Sequence, residues 1–138
     1  MIPAGFSCRV YGVLREGGKI LLTRSRFQKS EFVNFPGGAI EPGEAPLGAL
    51  AREFDEETGL EVRPRRLLFA SEAAHISTHT GLQIVSLYWL VERVRGELKA
   101  GGNGDDVVSL FWAPEDRVPT EEMFPADKEF AYRLKELL

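Results

Sequence analysis

Three glutamates, Glu53, Glu56 and Glu57, close a stretch whose residue types and spacing can do chemistry. Residues three and four apart on a helix are neighbours, so Glu53 sits beside both of the others. Each such like-charge pair costs a few tenths of a kcal/mol when exposed. Two of the three also fall in the last helical turn, where the helix dipole favours cations. A segment that breaks two local rules at once marks function. A divalent cation would reverse the sign of both penalties, since hard cations take carboxylate oxygens and phosphate oxygens together. Three glutamates alone read first as a solvated acidic face; the residues around them decide. Gly37 and Gly38 come shortly before, and a loop of glycines lets a phosphate chain approach the backbone.

The surrounding pattern resembles the Nudix box. Gly38, Glu44, Arg52, Glu53, Phe54, Glu56, Glu57, Gly59 and Leu60 fill its positions at the required spacing. With each fixed letter at about 7% of residues, chance gives on the order of 10⁻⁸ per starting position. Phe35 to Gly38, Leu21 to Arg24 and Trp89 to Arg93 are similar to MutT-like members, so the resemblance spans nearly the whole chain. It implies an α/β/α sandwich. The implied reaction is metal-dependent hydrolysis of the pyrophosphate bond of a nucleoside diphosphate linked to another group.

The resemblance also implies roles. Catalytic work falls to Glu53, Arg52 and Glu56, with Glu53 the general base and Arg52 orienting a catalytic glutamate. Mg²⁺ or Mn²⁺ would be held by Glu53, Glu56, Glu57, the Gly37 carbonyl and Asp106. Glu44 matches a structural position. Arg24, Phe35, Gly38 and Asp127 are the substrate-binding candidates. Four of these residues carry a second reading. Asp106 suits a turn after Asn103-Gly104, Arg24 an ordinary exposed arginine, Phe35 the core, and Asp127 the N-cap of a last helix. Members that clear 8-oxo-dGTP carry an arginine and an asparagine where this chain has Leu82 and Asp127. The proline of ADP-ribose pyrophosphatases and the tyrosine of dinucleoside polyphosphate hydrolases are both missing near residues 75 to 78. A (d)NTP, modified or not, cleaved to NMP plus pyrophosphate is the favoured expectation. ADP-ribose or a dinucleoside polyphosphate is the alternative. A non-catalytic nucleotide-sensing module is disfavoured by intact glutamates and Arg52.

These side chains need elements to hold them. A hairpin is predicted from apolar runs at 6–14 and 20–23 around Glu16-Gly17-Gly18-Lys19. A short extended piece at 31–35 ends at Pro36-Gly37-Gly38. A helix over 45–58 starts with Pro46 in its first turn and stops at Gly59. Leu47, Leu50 and Phe54 should face the core, with Gly48 allowing close packing. Strands follow at 62–71, 82–93 and 107–112. A second helix runs over 127–138, with Phe130, Leu134, Leu137 and Leu138 on its apolar side. Tyr88 and Trp89 should point to opposite sheet faces. His75 and His79 lie in a loop reading, which discounts them as a helical metal pair. The class is α+β, a mixed sheet flanked by helices.

The chain has 138 residues, 43% hydrophobic and 28% charged, which suits one globular domain over 1–138. Acids outnumber bases 21 to 17, against a nucleic-acid polymer as partner. The expected partner is a small nucleotide, with no membrane and the chain a monomer or homodimer. Cys8 is the single cysteine and reads as a small core residue. The N-terminus carries no secretory pattern, so the expected location is cytoplasmic.

Overall fold

Alternation of side chains along the first strand builds two cores. The computed structural model describes residues 2–138. In β1 (Phe6–Glu16), Val10 and Leu14 point to one face and Tyr11 and Val13 to the other, all buried. β1 turns through Gly17-Gly18 into β2 (Lys19–Phe27), as the hairpin expectation has it. β3 (Ser30–Asn34) returns along β2, and β4 (Gly37–Ala39) pairs with Arg9–Tyr11 of β1.

α1 (Pro46–Thr58) follows, then β5 (Leu60–Ala70), β6 (His75–Ile76), β7 (Gln83–Gly96) and β8 (Val107–Pro114). The sheet order is β3-β2-β1-β7-β5, with β4 on β1, β6 on β7 and β8 on β2. β1 and β7 run parallel and the other pairs antiparallel, so the sheet is mixed. A short 3₁₀ turn at Thr120–Glu122 leads to α2 (Pro125–Ala131) and α3 (Leu134–Leu137).

α1 covers one face, packing Leu50 and Phe54 on Val10, Leu14 and Leu21. α2 and α3 cover the other, where Phe130 and Leu134 meet Tyr11, Phe35 and Tyr88. The result is an α/β/α sandwich, as expected. Tyr88 and Trp89 fall in the two different cores. Complete burial of Phe54 or Phe130 contributes about 1.5–3 kcal/mol each.

Several local expectations change. Leu47 is exposed and Ala49 takes the inward position beside Leu50, because the buried face of α1 lies one residue round. A methyl at Gly48 would meet nothing, so that glycine packs against no backbone. The expected last helix is two pieces. At the break the Arg133 N–H reaches the Phe130 carbonyl three residues back, and the chain bends around exposed Tyr132. Cys8 is exposed, on the alternating rim of β1, and is not a core residue. No helix among the described residues is long and apolar enough to cross a membrane.

Candidate active site

α1 starts where it must because Pro46 lacks only an N–H the first turn does not need, and it stops at Gly59 in the left-handed region, φ 81°. Its Glu57 points inward and is 3% exposed. One Glu57 oxygen accepts the Gly37 N–H at 2.9 Å, tying the β4 loop to the helix. Gly37 has φ 152°, and a Cβ there would lie 2.1 Å from the Val10 carbonyl oxygen. At Gly38 a Cβ would lie 2.7 Å from the Glu53 carboxyl carbon. Both glycines are therefore demanded by close approach, the second by the carboxylate itself.

Arg52 organises the acids on the outer side. Its Nε and Nη2 fork onto the two oxygens of Glu44 at 2.7 and 2.9 Å. Its Nη1 donates to Glu53 at 3.1 Å and Glu56 at 3.3 Å. The fork holds the Glu44 carboxyl down at about 2. Burial pushes Glu53 up, and Arg52 opposes that shift. Burial pushes Glu57 up to about 9; the Gly37 N–H opposes this, while Glu53 and Asp106 add to it.

One cleft of about 630 Å³ runs from this acidic helix across the sheet. Gly37, Gly38, Glu53 and Asp106 line one end, and Asp127 the other. Asp106 takes a hydrogen bond from the Asn103 amide at 3.0 Å, so the turn and the cleft share it. Asp127 is not the N-cap of α2, a place held by Phe124; it is 6% exposed and accepts the Tyr88 hydroxyl at 2.5 Å. Burial pushes its carboxyl up to about 6, against the pull of Tyr88 and Arg9.

Two candidates are corrected. Phe35 is fully buried between Tyr88 and Phe130, with ring centroids at 5.8 and 5.2 Å, so it belongs to the core and does not line the cleft. Arg24 is absent from the cleft wall; it pairs with Glu122 at 2.7 Å and covers Phe111. Glu56 and Arg52 lie on the solvent side of α1, and Glu57 lies beneath the cleft.

The cleft also brings in residues the sequence reading passed over. Arg9, Tyr11 and Asn34 line it, and Tyr88 supports Asp127. The Asn34 side-chain oxygen accepts from the Thr23 and Ser25 hydroxyls, which turns its amide NH₂ toward the cleft. A charged residue at alternate spacing inside an apolar strand, Ser7-Cys8-Arg9-Val10-Tyr11, was the available signal. His75 and His79 line the cleft too, His75 with its Nε2 3.3 Å from Glu129.

Among the described residues no three metal-ligating side chains already converge as a cage. The donor set nonetheless fits a hard cation. It is all oxygen, a buried glutamate has a free carboxylate oxygen, and Glu53, Glu57 and Asp106 repel one another across the gap.

The chain matches the NUDIX domain model over residues 5–134. It belongs to the Nudix hydrolase family and is a MutT-like pyrophosphohydrolase. It is 35% identical over 132 residues to the 8-oxo-dGTP diphosphatase of Escherichia coli, covering 91% of this chain and 94% of that one. It is 30% identical over 121 residues to the CTP pyrophosphohydrolase of E. coli, covering 86% and 83%. Among solved structures, the E. coli ORF135 protein superposes with a TM-score of 0.75 at 27% identity, over 96% of this chain and 91% of that one. The MutT protein of Methanosarcina mazei does so at 0.78 and 19% identity, over 99% and 97%, which bears on the fold alone.

Proposed function

We propose that the protein hydrolyses a nucleoside triphosphate, ribo or deoxy and modified or not, to the monophosphate and pyrophosphate. The observation that carries this is the shared cleft, with Glu53 at one end and Asp127 at the other. Its volume lies in the range of small-molecule sites, about 300–1,000 Å³. Two relatives whose names specify nucleoside triphosphates, the 8-oxo-dGTP diphosphatase and the CTP pyrophosphohydrolase, support the reading. Leu82 and Asp127 both line the cleft, and they differ from the residues expected in an 8-oxo-dGTP enzyme. Preference for the oxidised base is therefore not carried over.

Glu53, Glu56, Glu57 and Asp106, with the Gly37 carbonyl, are the residues that would hold Mg²⁺ or Mn²⁺. Such an ion neutralises phosphate oxygens and acidifies water. The rest falls to the chain. Gly38 leaves room for the Glu53 carboxylate to lie against the β4 backbone. Glu53, raised by burial yet held by Arg52, accepts the proton of the attacking water. A P–O bond forms between that water and one phosphorus, the bridging P–O bond breaks, and its electron pair leaves with the other product, NMP or pyrophosphate. Asp127 accepts from an exocyclic amine of the base. Positioning and charge complementarity supply most of the rate.

The test is a substrate panel with Mg²⁺ in ¹⁸O-labelled water, followed by mass: oxidised and unmodified (d)NTPs, ADP-ribose and diadenosine polyphosphates. Release of NMP and pyrophosphate, with label in one of them, is the expected result. Turnover of ADP-ribose or a dinucleotide alone would overturn the triphosphate assignment.

A further inference from the structure

Arg9 is a charged cleft residue to which the proposed reaction gives no work. It stands on the β1 face that also carries Ser7 and Tyr11. Its Nε donates to the Tyr11 hydroxyl at 2.6 Å, and its guanidinium carbon stands 5.7 Å from that ring's centroid. Among the described residues no carboxylate pairs with it, whereas Arg26, also on the cleft wall, is held by Glu31 at 3.2 Å. Its Nη groups keep their donors for whatever enters. A half-buried guanidinium with donors to spare is costly until a ligand takes them.

An acceptor is fixed close by. Tyr11 and Tyr88 are partners across β1 and β7, with rings stacked at 5.3 Å. One hydroxyl accepts from Arg9, and the other donates to Asp127. The stacked pair sets a cation and a carboxylate near one another without closing them into an ion pair. Only one Asp127 oxygen is engaged by Tyr88, and its other oxygen takes no protein donor among the described residues. A planar ligand at this end meets a donor fork and an acceptor together.

We propose that Arg9, paired with Ala39 beside Gly38 and Glu53 and so on the sugar side, sets the base preference, donating to a ring carbonyl while Asp127 takes the exocyclic amine farther along the same edge, so that the cleft selects cytosine; guanine carries the same two groups in the opposite order from its sugar. Adenine has the amine but no carbonyl for the fork. Thymine and uracil have carbonyls but set one of them against the carboxylate. The proposal deepens the triphosphate reading and rests on it for the reaction, though not for the binding. A hydrogen bond to a charged group discriminates by about ten- to hundredfold, and unpaired buried partners add to that.

The experiment measures kcat/KM for dCTP, dGTP, dATP and dTTP, and metal-free binding of the four monophosphates by calorimetry. Wild type, Arg9→Met, Arg9→Lys and Asp127→Asn are compared, each checked by its melting temperature. Wild type should favour the cytosine nucleotide by about tenfold or more in both assays. Arg9→Met should bring adenine within about threefold of cytosine while thymine, still set against Asp127, stays disfavoured, and Arg9→Lys, which keeps the charge but loses the fork, should stand between. Asp127→Asn should raise thymine relative to cytosine, since an amide can donate to a carbonyl. Equal loss on all four bases with Arg9→Met would overturn the proposal and place Arg9 on the phosphate or sugar. No preference in wild type would overturn it too. Selective monophosphate binding with no triphosphate turnover would sink the triphosphate reading and leave this one standing.

Discussion

Glu57 combines two demands on one carboxylate. It is buried, and it is tied to the Gly37 N–H. Its folded pKa, pushed from about 4.5 up to about 9, means the metal-free fold prefers it protonated. A raised pKa gives stability that is fully present below the ordinary value and lost as pH rises through the raised one. The melting temperature of the metal-free protein should therefore fall between pH 7 and 9, and Glu57→Gln should remove most of that slope. The same variant should lose turnover by orders of magnitude at unchanged fold, as checked by circular dichroism. Retained activity would sink the assignment of Glu57 to the cation. Gly38→Ala tests the adjoining contact: its methyl meets the movable end of Glu53, so kcat should drop while melting shifts little. Gly37→Ala meets backbone instead and should destabilise by about 2–4 kcal/mol in urea unfolding.

At the scale of elements, the Glu44–Arg52 fork links the loop before α1 to the helix's outer face. Glu44→Gln should lower stability only modestly, since the pair is only partly buried, yet lower kcat by freeing Arg52 from its grip on Glu53. A variant with full kcat would show that Glu53 needs no such restraint. Inside, Phe54→Ala removes a ring packed on Leu50 and Val10 and should cost about 3–5 kcal/mol of unfolding free energy. The long elements were legible because their signals are local. The hairpin announced itself by Gly17-Gly18 between apolar runs, and α1 by Pro46 and Gly59. β4 and β6 were not, because strands of three and two residues carry no period and exist only through their partners β1 and β7. The acidic helix was legible from spacing alone. The base end was not: Arg9, Tyr11 and Asn34 meet Asp127 only through sheet register, and Phe35 and Arg24 were assigned by neighbourhood in sequence when strand direction decides which face a side chain takes.

For the whole molecule, a divalent ion that settles among Glu53, Glu57 and Asp106 should act on the entire cooperative unit. Titration with Mn²⁺ should raise the melting temperature in proportion to the logarithm of concentration, and Glu57→Gln should blunt the rise. No rise in the wild type would argue against any resident cation. The site is also divided between the two faces of one sheet. Its acidic end hangs on α1 and its far end on α2, with β1 and β7 between them.

That division has a consequence for synthesis of the chain. α2 carries Asp127 and, three residues on, Phe130, the side chain that closes the core over Tyr88. A ribosome stalled before residue 124 has already made every acid of the hydrolytic helix. It has not made the aromatic plug, so Phe35, Phe69 and Tyr88 lose the cover of Phe130, and exposed apolar surface of that kind is aggregation-prone. The aromatic plug and the Asp127 carboxylate thus ride on the same two helical turns, so a chain that ends before them lacks both together.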